Sequence, residues 1–413
     1  MTVSAVDSAI FGGLFTTAAM RAVLADQARL QRMLDVEAAL ARAQARLGLI
    51  PAAAAEEITR KAQLEHFDLE AIRRGTELAG YPIVPLVKAL GEACDGDAGR
   101  YVHWGATTQD IVDSALVLQI RDALTLIADD LDAILRRLTQ LAQQFRDTPM
   151  AGRSHLQHAL PITFGFKCAV WLSAMQRHRR RLETLRGEIL VVQLGGAVGT
   201  LASLGEGGIA VLSALAEELD LAVPPIAWHA ARDNLGEAVC FLGLLTGSLG
   251  KIATDIALLM QTEVGEVAEP HSEGRGGSST MPQKRNPLAS ELVLAAAKNV
   301  RQLVPVMLDA MLQDHERATG PWHAEWLALP QAFALGAGAL HHARALLEGL
   351  TVDPARMRRN LDATQGMITA EAVMMALAPH VGREEAHHLV AAACNRAIAS
   401  GRHLREALAD DSE

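Results

Sequence analysis

Aromatic residues make up only 4% of this 413-residue chain, and cysteine occurs four times. Cys94, Cys168, Cys240 and Cys394 lie far apart, with no pair at the spacing of a metal knuckle or redox motif. They predict free thiols in a reducing compartment and no metal site. Basic residues are outnumbered, giving a net charge of −10. That argues against a nucleic-acid partner, which needs a basic surface. The N-terminus lacks a basic region followed by an apolar stretch and a cleavage site, and no apolar run is expected to reach membrane-span length. A cytoplasmic protein with no membrane partner is expected. Convincing strand alternation is also missing.

What is present favours helix. Half of the residues are hydrophobic, many of them Ala and Leu, enough to bury one or more large cores. From Asp26, apolar positions recur on one face until Gly48 and Pro51 end the pattern. Ile111 to Thr148 contains no Gly or Pro, and Leu116, Ile120, Leu124, Ile127, Leu131, Ile134, Leu138 and Leu141 recur at threes and fours. A helix of that length belongs in a bundle. Further long helices are expected after Pro161, from Asp233 to Glu263, from Leu288 through Pro305 to Leu312, and from Gln331 to Leu350. The predicted fold is all-α, in three helical domains: an N-terminal domain over 1–104, a central long-helix bundle over 105–350, and a C-terminal domain over 351–413. Gly195-Gly196-Ala197-Val198-Gly199-Thr200 has the wrong glycine spacing for a dinucleotide fingerprint and reads as an interhelical turn. The basic run Arg177 to Arg181 reads as a solvated helix face.

Three polar stretches interrupt the helices. The first is His103-Trp104-Gly105-Ala106-Thr107-Thr108-Gln109-Asp110, where threonines before a helix are commonly caps. The second is Arg153-Ser154-His155-Leu156-Gln157-His158. The third, Gly274 to Pro287, opens with glycines and then packs Ser278, Ser279, Lys284, Arg285 and Asn286 among Pro282 and Pro287. Glycine lets such a loop fold over a ligand. Pro287 suits a first helical turn, so the loop is expected beside a helix N-terminus whose amides attract anions. Lys284 and those amides would stabilise a negative oxygen near Ser278. His103, His158 and His323 lack metal spacing and are weaker candidates. Trp322 and Trp326, four apart, read as a packed helix face.

The third stretch closely resembles the signature loop of the fumarase/aspartase superfamily: Gly-Ser-Ser, two residues, Pro, one residue, Lys, one residue, Asn-Pro. The resemblance covers nearly the whole chain, with all three blocks in the expected order. It implies that Ser278 transfers the proton from a flexible lid and that Lys284 and Asn286 bind substrate carboxylate. Ser279 and Arg285 adjoin them as substrate-binding candidates. Thr107 and Thr108 match the first block, and Ser154, His155 and Gln157 the second. His155 corresponds to a histidine that pairs, in lyase members, with the glutamate at Glu291. It also implies a homotetramer with each site built from three subunits. Met33 to Ala43, Ile83 to Leu90, Tyr101 to Asp110, Trp322 to Trp326 and Met357 to Asp362 are similar to the family's cycloisomerase branch. That implies a small-molecule tricarboxylate substrate, no metal and no cofactor. A fumarate-releasing lyase such as adenylosuccinate lyase is the nearest alternative, and a catalytically silent structural homologue another.

Overall fold

The computed structural model describes residues 4–410 apart from Ser272, Glu273, Arg275, Ser278 and Ser279. The fold is all-α, with only short strands. Among the described residues six helices exceed 20 residues: Asp26–Arg46, Thr108–Gln144, Phe164–Ile189, Asp233–Leu259, Leu288–Ala310 and Pro321–Glu348. At 37 residues, Thr108–Gln144 runs about 55 Å. Of the apolar stripe read from the sequence, Ile120, Leu124, Ile127, Leu131, Ile134, Leu138 and Leu141 are at most 1% exposed, while Leu116 at its start is only half-buried. Leu288–Ala310 continues through Pro305, and the following helix starts at Pro321, ten residues before the expected Gln331.

The chain divides into two compact units. One comprises Met1–Leu131, Arg177–Leu249 and Leu292–His341, the other Asp132–Gln176, Gly250–Glu291 and His342–Glu413. The first holds a continuous core reaching from Met33 and Leu34 through Leu86 and Ile111 to Leu215 and Trp322. Trp322 and Trp326 pack edge to face at 5.0 Å, and Tyr81 stacks on Trp322 at 5.7 Å. This is the packed face expected of the pair. All four cysteines are free thiols.

Two expectations fail. Asp233–Leu259 is long and apolar enough to cross a membrane by length and composition. Its Leu235, Val239, Leu242, Leu245, Leu249, Ile252 and Ile256 are nevertheless at most 2% exposed, as in a core helix. The second polar stretch is a β-hairpin: Pro149–Ser154 pairs antiparallel with Gln157–Thr163, with a register shift between Ala151 and Arg153. His155 (φ 51°) and Leu156 (φ 64°) make its two-residue turn, both left-handed. Such turns ordinarily take Asn or Gly, and His155-Leu156 has neither. Val267–Ala268 and Thr351–Val352 form a second, smaller pair.

The first unit is clamped by Arg232, 1% exposed. Its Nη1 and Nη2 donate to Asp113 at 2.6 and 2.9 Å, and Nε and Nη2 to Glu325 at 2.9 and 2.6 Å. The Trp228 ring lies 4.9 Å from the guanidinium carbon. Two helices are thereby tied to the start of a third. Burial raises the Glu325 pKa, opposed by Arg232.

Arg232→Met would leave two buried carboxylates without their cation and is expected to cost about 3–5 kcal/mol in denaturant unfolding. His178 lies buried within the basic run, its Nε2 2.8 Å from Ser248 Oγ. Burial, then Arg181 and Arg177, push its pKa from 6.5 to about 4. The folded state therefore excludes a proton that the unfolded chain takes up near pH 6.5. Stability is complete above that pH and declines as the pH falls towards 4. His178→Gln is expected to flatten this part of the stability–pH curve.

Candidate active site

In the first unit, Thr107 and Thr108 sit at the start of the Thr108–Gln144 helix. The Asp110 carboxylate, fully buried, reaches back to accept from the Thr107 amide at 2.9 Å. It also accepts from the Gly195 amide (2.8 Å), the Gly196 amide (3.0 Å) and His229 Nε2 (2.7 Å). One carboxylate thus fixes the helix start, the Gly195–Thr200 turn and the His229 segment. This is the reciprocal half of a capping box, and it leaves the Thr107 hydroxyl unused as a cap. Thr107 Oγ1 instead accepts from Arg317 Nη1 at 3.4 Å, while Arg317 Nη2 donates to the Ala197 carbonyl at 3.0 Å. The Thr107 hydroxyl and a half-buried guanidinium therefore face one another beside the Gly195–Thr200 turn. Such a group suits a carboxylate.

Sequence reasoning missed Asp110 and Arg317 as site-building residues. Asp110 was visible only as an acid in the first turn of an apolar helix. Arg317 stands in a fourth polar stretch, Asp314-His315-Glu316-Arg317, ahead of a helix that begins at Pro321. Nearby, His103 Nδ1 lies 2.6 Å from the buried Glu37 carboxylate. Burial alone would lower its pKa, but Glu37 outweighs it and holds it above the ordinary value. His103 is a structural partner of Glu37, and His323 packs against Trp326 at 4.6 Å.

In the second unit, the hairpin turn carries Ser154, His155 and Gln157 exposed at its tip. Its base is held by Arg153, whose Nη1 and Nη2 donate to the buried Glu266 at 2.9 and 2.7 Å. Asn360 Nδ2 donates to the same carboxylate at 2.8 Å. Next to this pair, His158 has a buried Nδ1 with no hydrogen-bond partner among the described residues. Burial, then Arg153, lower its pKa. A non-glycine pair held at positive φ is strain concentrated where the second block presents its histidine.

Of the signature loop, Ser278 and Ser279 lie outside the described residues. The remainder closes as a hairpin base: Gly277 pairs with Arg285, and the Asn286 amide donates to the Gly276 carbonyl at 3.1 Å. Gly276 has φ 65°, which only glycine adopts without strain. A cavity of about 240 Å³ is lined by Glu269, His271, Gly276, Arg285 and Asn286. The expected role of the helix N-terminus needs correction. Glu269, not an incoming anion, takes the Ala289 and Ser290 amides, each at 2.9 Å, and the Ser290 hydroxyl at 2.7 Å. The Leu288 and Glu291 amides donate to Asn286 and Pro287 carbonyls. No amide of that first turn remains for substrate.

Lys284, Arg285, Glu291, Ser154, His155 and Gln157 are exposed, and Asn286 half-buried. Among the described residues none of their side chains makes a hydrogen bond or ion pair, so His155 and Glu291 are not joined within the chain. The buried carboxylates of Asp110, Glu266 and Glu269 are each held by several donors, whereas Lys284, Arg285, Glu291 and His155 are exposed.

This arrangement has counterparts. A family model described as Lyase matches residues 14–302, and one described as adenylosuccinate lyase C-terminus matches residues 366–413. The chain belongs to the fumarase/aspartase family of lyases and is an enzyme of that family. It is 53% identical to 3-carboxy-cis,cis-muconate cycloisomerase of Pseudomonas aeruginosa, over 98% of this chain and 88% of that protein. It is similar to the solved structure of the 3-carboxy-cis,cis-muconate lactonizing enzyme from Pseudomonas putida, at 49% identity and TM-score 0.92, covering 98% and 91%. It is also similar to that of a fumarate lyase from Mesorhizobium sp. BNC1, at 53% identity and TM-score 0.90, covering 96% and 90%.

Asp110→Asn keeps the size but loses one acceptor oxygen, leaving a buried donor unsatisfied. We expect a loss of about 1–3 kcal/mol in chemical denaturation, together with weaker carboxylate binding at Thr107; unchanged stability would contradict the strut role.

Proposed function

We propose that the chain is a cycloisomerase converting 3-carboxy-cis,cis-muconate to 4-carboxymuconolactone in protocatechuate breakdown, acting as a cytoplasmic homotetramer. The observation that carries this reading is the Thr107 hydroxyl, released from capping by Asp110 and facing Arg317. A substrate with three carboxylates needs several separate anion-binding groups. Thr107, Thr108 and Arg317 supply one set, and Lys284, Arg285 and Asn286 a second. Ser154, Gln157 and Ser279 would hold the remaining polar atoms.

In the proposed reaction a substrate carboxylate oxygen adds to a carbon–carbon double bond conjugated to another carboxylate. The carbon–oxygen bond closes the lactone, and the π electrons move onto the second carboxylate as an enediolate. Lys284 and Asn286 would stabilise that charge while Ser278 delivers its proton to the adjacent carbon. The serine oxygen is then reprotonated from solvent. The exposed, partnerless state of His155, Lys284 and Glu291 supports a site completed by neighbouring subunits, three to each site.

A second reading, a fumarate-releasing lyase, is favoured by His155. A departing nitrogen needs a proton from an acid, and a histidine near Glu291 could supply it, whereas a departing carboxylate, with a reference pKa near 4, needs none. The similarity to a structure titled fumarate lyase points the same way. On the cycloisomerase reading, His155 and Glu291 orient a carboxylate.

A spectrophotometric assay separates the two. Loss of 3-carboxymuconate absorbance with lactone formation is expected, and fumarate release from adenylosuccinate without lactone formation would overturn the proposal. Ser278→Ala should lower kcat by about 10²–10⁴-fold with the melting temperature nearly unchanged. His155→Gln should raise KM more than it lowers kcat; a collapse of kcat alone would favour the lyase.

A further inference from the structure

Two cavities in the first unit share Arg29, Trp326 and Pro330 as walls, and neither includes a residue assigned above to the active site. The larger, about 480 Å³, is also lined by Arg21, Asp7 and Asp26. The smaller, about 40 Å³, is lined by Met33, Val112 and Leu116 together with Gln119 and Glu325, whose carboxylate is already held by Arg232. Two polar groups in these walls are left without partners. Gln119 is 2% exposed. Its Nε2 donates to the Val23 carbonyl at 2.7 Å, which fixes the amide, while its Oε1 is buried with no hydrogen bond among the described residues. Arg29 has no side-chain hydrogen bond or ion pair among the described residues, and burial pushes its guanidinium below the ordinary value, opposed only in part by Asp26.

A guanidinium offers five donors and needs acceptors, preferably a carboxylate that binds the fork in two places. A buried amide oxygen needs a donor. Between them lie an indole face and aliphatic side chains. A water molecule fits the smaller chamber, but water cannot neutralise Arg29. On the larger cavity Asp7 and Asp26 balance Arg21 and Arg29, so its walls hold no excess positive charge for a tricarboxylate, whereas one carboxylate can pair with Arg29.

We propose that the paired cavities bind a small aromatic monocarboxylic acid bearing a hydroxyl group, of the hydroxybenzoate class. The carboxylate engages Arg29, the ring lies against Trp326 in the larger cavity, and the hydroxyl enters the smaller one to donate to Gln119 Oε1.

Titration calorimetry on the intact protein tests this, with 4-hydroxybenzoate and benzoate as probes. Saturable binding of 4-hydroxybenzoate at one site per chain is expected, with benzoate about two- to tenfold weaker for lack of the hydroxyl. Arg29→Met should weaken both acids by at least about tenfold. Gln119→Leu should abolish the preference between them. Lys284→Ala should leave binding unchanged. Should Arg29→Met fail to fold, Arg29→Lys, which keeps the charge and loses the fork, should still weaken both. No saturable binding, equal affinity for the two acids, insensitivity to Arg29 substitution, or loss of binding in Lys284→Ala would each overturn the proposal.

Discussion

Two buried carboxylates, one turn apart on the same helix, set the geometry of the first unit. Asp110 gathers the Thr107, Gly195 and Gly196 amides with His229, and Asp113 holds Arg232, three residues after His229. Gln109 Nε2 adds a bond to the His229 carbonyl at 3.0 Å, and Ser114 Oγ one to the Gln193 carbonyl at 2.9 Å. One and a half turns of helix therefore dock two segments more than 75 residues away in sequence. A buried charge without partners would be costly, so each of these contacts supports the others. Their functional consequence is indirect: the helix start is capped by an aspartate, and the threonine hydroxyl is released for another use.

The second unit solves the same problem differently. Glu266 receives Arg153 and Asn360, pinning the base of the hairpin that carries His155. Glu269 takes the first-turn amides of the helix after the signature loop. Both carboxylates stand just ahead of the reactive groups and hold their backbone, leaving Lys284, Arg285 and His155 unbonded and exposed. On the proposed function, fixed supports beneath the exposed Lys284 and Arg285 would suit a polyanion. They also explain why a helix N-terminus need not bind the substrate here: its amides are already committed.

The long helices were legible because each repeats apolar residues at threes and fours, and the stripe from Ile111 to Leu141 is buried as that spacing requires. The Trp322–Trp326 face was legible for the same reason. The hairpin was not, because Ser154-His155-Leu156-Gln157 contains no Asn-Gly, Asp-Gly or Gly-Gly pair at its turn; its base is held by the paired strands and by Arg153. His229 was invisible as a partner of Asp110, being 119 residues distant, and Arg317 because one cation in a polar stretch carries no spacing signal. Glu269 was likewise unmarked, which is how the helix end came to be credited to the substrate. The three blocks themselves were readable as motifs, although Ser278 and Ser279 fall outside the described residues.

The proposed function requires the threonine-bearing and lysine-bearing blocks to serve one active site supplied by different subunits. Subunit mixing tests it most directly. Thr107→Val and Lys284→Ala proteins, each inactive alone, are dissociated, combined and reassembled. The account predicts that activity reappears in the mixture, because some assembled sites receive both intact blocks. A mixture as inactive as either parent, with assembly intact, would contradict it.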